Sequence, residues 1–134
     1  MGLDVEKRRT MSFPLGQPSV RVIMLPRDTN GNGSIFGGVL LSYIDQAGAV
    51  EAARHTHNKL VTVAMDKVVF HQPVFVGDVV SFYTELLKIG RTSITVKVTV
   101  EAARRGPDIQ AIKVTEAQVV YVAIDDDLKP VPVS

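Results

Sequence analysis

From Thr92 to Val100 the chain reads TSITVKVTV, and its alternation is complete. In an extended strand Ile94, Val96, Val98 and Val100 share one face, while Ser93, Thr95, Lys97 and Thr99 share the other. A helix, with its period of 3.6, would scatter those valines around its axis. A strand with one apolar and one polar face belongs to a sheet covered on one side, which is the habit of antiparallel sheets. Something apolar must therefore lie on that face.

One stretch offers the cover. Phe36, Val39, Leu40, Tyr43, Ile44, Ala47 and Val50 recur at three- and four-residue spacing, which predicts a helix from Gly37, closed by the polar run His55 to Lys59. The remaining segments read as strand. "SVRVIML" precedes the helix and stops at Pro26. After the helix come "LVTVAMDKVVF", stopped by Pro73, then "DVVSFYTELLKI", the alternating stretch, and "IQAIKVTEAQVVYVAI". The expected order is strand, helix, then four strands whose consecutive members pair antiparallel. One helix on one face of an antiparallel sheet is a two-layer α+β domain. Its open edges favour dimerisation through the sheet.

A chain of 134 residues suits one such domain, expected over residues 19–128. Residues 1–18 are polar or Pro/Gly-bearing and predict a mobile extension, and 129–134 a short C-terminal tail. Fifteen basic residues against 14 acidic leave a formal charge of +1, so no bulk field draws the chain to nucleic acid or an anionic membrane. Cysteine is absent, which removes disulfides, thiolate metal sites and cysteine nucleophiles together. Glu6 stands where a myristoylation signal at Gly2 needs Ser or Thr. The uncharged run Thr29 to Ile44 is interrupted by glycines and asparagines and is too short to span a bilayer. The expectation is a cytoplasmic protein with neither nucleic acid nor membrane as partner.

Chemistry concentrates in "RDTNGNGSIFGGVLLSYIDQAG", residues 27–48. A dinucleotide fingerprint starting at Gly31 would need glycine where Phe36 stands, and a P-loop would need a lysine that is missing. Both also require a parallel βαβ unit. The glycines serve turns at Asn30-Gly31, and at Gly37-Gly38 they leave the first helical N–H groups accessible. Those donors, with the positive end of the helix dipole, suit an oxygen that develops negative charge, such as the carbonyl oxygen in acyl transfer. Asp45 is the one Asp, Glu, Lys, Arg or His between Asp28 and Glu51, on a stripe with Leu41, Gly48, Ala49 and Ala52. Either it is an exposed aspartate on an alanine-rich face, or it is buried and a candidate base or nucleophile. It lies two helical turns after Gly38, about 10 Å along the axis.

The same segment, with its pattern Asn30-x-x-Gly33-x-x-Phe36-Gly37-Gly38 and a helix bearing Asp45, resembles hotdog-fold acyl-CoA thioesterases, in particular the YciA-like and cytosolic acyl-CoA hydrolase group. The likeness runs from about Val20 to Asp125. It implies a long helix wrapped by an antiparallel sheet. It implies that Asp45 is the catalytic carboxylate, attacking the thioester carbonyl or activating water. Asn30 is then a second active-site residue and Thr62, in "LVTVAM", the threonine beside the carboxylate. Backbone N–H groups near Gly37 and Gly38 would polarise the carbonyl, with Phe36 and Arg91 as substrate contacts. No cofactor or metal is implied, since coenzyme A is part of the substrate. With one domain per chain, Asn30 of one subunit would meet Asp45 of another, in a homodimer at least and as a hexamer of three dimers in many relatives.

The basic side chains that would meet the coenzyme A phosphates are Arg91, Arg104 and Arg105, and ordinary solvated arginines explain them equally well. Two rivals remain. His71 before Pro73 loosely resembles the histidine motif of hotdog dehydratases, but Gln72 intervenes and no partner carboxylate is evident. A non-catalytic acyl-CoA-binding protein would share the fold and lack a working carboxylate. His55 and His57, two residues apart, share no helical face for a metal.

Overall fold

The computed structural model describes residues 16–104 and 106–134. The extension expected over 1–18 falls outside them up to residue 15. From Ser19, whose N–H donates to the Phe82 carbonyl, the chain is already on the sheet.

Strand β1 (Val20–Ile23) leads through a 3-10 turn at Pro26–Asp28 and a looped segment into helix α1 (Gly37–Ala52), extended by a second 3-10 turn at Ala53–His55. Four strands follow: β2 (Lys59–Asp66), β3 (Val79–Ile89), β4 (Ser93–Arg104) and β5 (Gln110–Ile124). They make one antiparallel five-stranded sheet in the order β1-β3-β4-β5-β2. No helix among the described residues is long and apolar enough to cross a membrane.

The alternation that predicted β4 is what the sheet uses. Ile94, Val96, Val98, Val100 and Ala102 are buried, and the residues between them are half-exposed. Opposite them Leu40, Ile44 and Ala47 present the buried face of α1, and the Tyr43 and Phe82 rings meet at 5.7 Å between centroids. Full burial of one Val or Ile stabilises by about 1.5–3 kcal/mol, so this seam holds the two layers together.

The expected pairing of consecutive strands fails once. β2 does not pair with β3 but lies at the far edge against β5, with Thr62 opposite Tyr121. Both edges of β3 are occupied, by β1 and β4, and β2 can only join where an edge is free. It is also shorter than predicted: it ends at Asp66, Lys67 turns with a φ of 57°, and residues 67–78 cross to the other side of the sheet. That crossing is tied down by the His71 N–H to the Val114 carbonyl and by the Thr115 hydroxyl to the Val69 carbonyl.

Two residues of the predicted apolar stripe, Phe36 and Val50, are exposed, while Glu51 is buried, less deeply than Ile44 and Ala47. The stripe is narrower than its spacing suggested because the sheet covers one side of the helix only. Residues after β5 fold back: Val131 N–H donates to the Ala123 carbonyl, Val133 N–H to the Arg91 carbonyl, and the Val133 side chain is buried.

Candidate functional site

The glycine-rich loop is folded by its own hydrogen bonds. Asn30 N–H donates to the Ser34 carbonyl at 2.8 Å, the Asn30 Nδ2 donates to Ser34 Oγ at 2.8 Å, and Asn32 N–H donates to Asn30 Oδ1 at 2.9 Å. Gly33 closes the turn with a φ of +89°, a conformation that other residues rarely adopt. Ile35 N–H then binds the Val74 carbonyl and Phe36 N–H the Asp28 carbonyl, which aims the chain into α1. Phe36 is the N-cap and gives no side-chain cap. The first helical bonds are those of Val39 and Leu40 to the Phe36 carbonyl. The N–H groups of Gly37 and Gly38 precede them and have no helical acceptor. Around the place a Gly38 Cβ would occupy there is open space, whereas Gly37 lies against the Phe70 ring. An oxygen can approach this end of the helix directly.

Two turns further on, Asp45 is half-buried, between the two alternatives the sequence left open. Thr62 on the edge strand donates its hydroxyl to Asp45 Oδ1 at 2.7 Å. The two residues paired by resemblance are thus brought together by the sheet. Behind them the Tyr121 hydroxyl donates to the main-chain carbonyl of Asp45, also at 2.7 Å. Burial, with the nearby negative charge of Asp45 and the hydrogen bond to it, pushes the Tyr121 pKa well above the phenol range, so this group stays a donor.

Asn30 keeps its side chain within its own loop, and no hydrogen bond among the described residues joins it to Asp45 of the same chain. Phe36 is exposed at the helix start. Arg91 is exposed in the turn between β3 and β4. Arg104 is engaged elsewhere: it bonds the buried Asp78 at 3.0 Å and the Pro73 carbonyl at 3.1 Å, and its guanidinium lies 4.8 Å from the Phe75 ring centroid. It is a structural ion pair, not a free phosphate ligand. Arg105 lies outside the described residues. His71 is exposed, and its backbone rather than its ring is used.

Sequence reasoning missed Glu51. Its Oε1 accepts from the Thr84 hydroxyl at 2.9 Å and from Arg54 at 3.4 Å, and its Oε2 meets His55 Nε2 at 2.9 Å. Burial alone would raise its pKa, but the hydrogen bonds from His55 and Thr84 and the Arg54 charge outweigh it and hold the carboxyl below its ordinary value. The available signal was position, since Glu51 stands one turn after Ala47 on the apolar stripe.

The sequence profile of the thioesterase superfamily matches residues 32–107, more than half of the chain and all of the helix. The chain belongs to the thioesterase superfamily. Its sequence is 44% identical over 121 residues to the acyl-CoA thioester hydrolase YciA of Salmonella typhimurium, covering 89% of this chain and 91% of that one. Among solved structures it is similar to a hexameric hotdog-fold thioesterase of Campylobacter jejuni, with 44% identity, a TM-score of 0.84, and 90% and 92% of the two chains covered. It is also similar to a hexameric broad-specificity acyl-coenzyme A thioesterase, solved as an aspartate-to-alanine mutant, with 37% identity, a TM-score of 0.84, and 89% and 87% covered. The fold of this thioesterase-superfamily member is the hotdog, one helix against a curled antiparallel sheet.

Proposed function

We propose that this protein is an acyl-CoA thioesterase that hydrolyses acyl-CoA to a carboxylic acid and coenzyme A. The observation that carries the reading is a carboxylate, Asp45, held by Thr62 two turns behind an uncapped helix start. The N–H groups at Gly37 and Gly38 are donors for the thioester oxygen as it gains charge, a contribution worth about 3–4 kcal/mol per donor in comparable sites. Asp45 either takes a proton from the attacking water or attacks the carbonyl carbon itself. In the first route a C–O bond forms to water, the C–S bond breaks, and the proton held by Asp45 passes to the departing thiolate, which regenerates the carboxylate. In the second a mixed anhydride forms, the thiolate leaves and takes a proton, and water then cleaves the anhydride to regenerate the aspartate.

Neither route needs a cofactor. Some 10 Å of helix separate the two halves of the machinery, which suits an extended acyl thioester lying along α1. Phe36 and Arg91 are placed as contacts to the acyl chain and the coenzyme A part. Asn30 would complete the site from a second subunit. Support for assembly comes from β2, an edge strand that exposes Val61 and Val63 and would join its copy in a continuous sheet. The hexamers named among the relatives make a trimer of such dimers the proposed assembly. A cysteine-free chain suits the cytoplasm.

A panel of acyl-CoA thioesters of graded length, assayed for free thiol with wild type and Asp45→Asn, tests this. Hydrolysis that collapses in the variant supports the reading. Tight acyl-CoA binding without hydrolysis by folded wild type would sink it and favour a binding protein.

A further inference from the structure

Thr62 and Tyr121 face one another across the β2–β5 pair, on the side of the sheet that carries the helix. Both hydroxyls end on the same residue. Thr62 holds the Asp45 carboxylate and Tyr121 holds the Asp45 carbonyl, each at 2.7 Å. One cross-strand pair thus grips the side chain and the backbone of one helical residue. The β2 bulge falls immediately after this pair, between Thr62 and Ala64, so the register that aligns the two hydroxyls is the last before the strand shifts.

Helix α1 is shaped to admit the phenol. A Cβ added at Gly48 would collide with the Tyr121 hydroxyl and stand 3.1 Å from Cζ. Gly48 lies one turn after Asp45 and is buried, so its missing side chain is the gap through which Tyr121 reaches the backbone. The Asp45 carbonyl already accepts the helical bond from the residue four positions on, so the Tyr121 bond is a second one. Helix continuity does not require it. What it adds is a fixed height and rotation of α1 against the sheet at the residue that carries the carboxylate.

We propose that Tyr121 is a positioning residue for the hydrolysis, acting through Asp45 with Gly48 as its access gap. This rests on Asp45 being the working carboxylate. Without the phenol the helix can slide or roll by a fraction of an ångström and Asp45 moves against the substrate. Misplacement of that order costs up to about 100-fold in rate. Substrate affinity, set by contacts other than the Asp45 carboxylate, stays the same.

The test is a cycle of full-length Tyr121→Phe, Asp45→Asn and the double variant, with kcat, KM and Tm for each. Tyr121→Phe is expected to lower kcat about 10-fold with KM within about two-fold of wild type. In the Asp45→Asn background the same change is expected to cost nothing further, because the carboxylate it positions is gone. Multiplying losses in the double variant, or a loss confined to KM, would overturn the positioning role while leaving Asp45 in place. Full activity of Asp45→Asn would overturn the carboxylate assignment and this inference with it. A second pair checks the contact itself through Tm: Gly48→Ala is expected to lower Tm clearly in wild type and less in the Tyr121→Phe background. An equal drop in both would show that the hydroxyl does not occupy the gap.

Discussion

Helix α1 carries two carboxylates, six residues apart, and they live differently. Glu51 is buried, with both oxygens bonded to Thr84, Arg54 and His55. Asp45 is half-exposed, its carboxylate is oriented by the Thr62 hydroxyl, and open space lies near the helix start before it. A buried carboxylate with every acceptor satisfied has been matched by its surroundings and has nothing left to offer a substrate. A carboxylate oriented by one hydroxyl keeps lone pairs free for a proton or a carbon. The same side-chain chemistry thus serves architecture at one end of the helix and reaction at the other.

Changes at four residues would break or sharpen that contrast. Asp45→Asn is expected to lower kcat by about 1000-fold or more while leaving Tm unchanged or slightly raised, read from thiol release and thermal unfolding. A stable fold with lost turnover is the mark of a residue that does not serve architecture. Glu51→Ala should do the reverse. Stranding Thr84 and His55 in a buried network costs about 2–4 kcal/mol, seen as a lower denaturation midpoint, with kcat within about three-fold of wild type.

The Glu51 network also has a pH signature. Its folded pKa lies below the ordinary value of 4.5, so its contribution is complete above that pH and is lost as pH falls through the folded value. Wild type should lose stability over that acid range more steeply than Glu51→Gln, by unfolding at several pH values. Equal pH slopes would mean the network carries no charge linkage.

Third, Thr62→Val removes the hydroxyl and keeps the shape. A loss of about 10-fold in kcat, with Tm nearly constant, is expected because the carboxylate keeps its place but loses its orientation. The smallest effect belongs to Glu101, on the polar face of β4. Burial pushes its pKa up against the opposing charge of Lys113, and among the described residues its buried Oε2 has no partner. Its charged form is therefore less favourable in the folded state than in the unfolded one. Glu101→Gln should raise Tm at pH 7 by about 1–2 °C, and the gain should vanish below pH 4.5, where the carboxyl is protonated in both states.

Much of this was legible in local pattern. The alternation from Ser93 to Val100 predicted which side chains of β4 are buried, because a strand's period depends on its own backbone. Gly37-Gly38 marked the helix start, and Asp45 stood out because no other charge shares its neighbourhood in sequence. The joining of Thr62 to Asp45 came from resemblance, since their numbers alone give no reason for it. Other features were hidden for one shared reason. Tyr121 reads as another apolar strand residue until β5 is laid under Gly48, and Arg104 reads as a free cation until Asp78 is placed beside it. Glu51 reads as a solvated charge until Thr84 arrives from β3.

The sequence by itself determined the elements: one helix, five strands, their apolar faces, and an isolated carboxylate behind an open helix end. These follow from periodicity, turn chemistry and local charge, which involve residues close along the chain. The tertiary structure alone decided which strand takes the free edge, and with it which hydroxyls reach Asp45. β2 pairs with β5 because both edges of β3 are taken, and that placement sets Thr62 opposite Tyr121 beneath the helix. Such choices depend on which surfaces remain unpaired once the others have packed, and that is a property of the assembled layers.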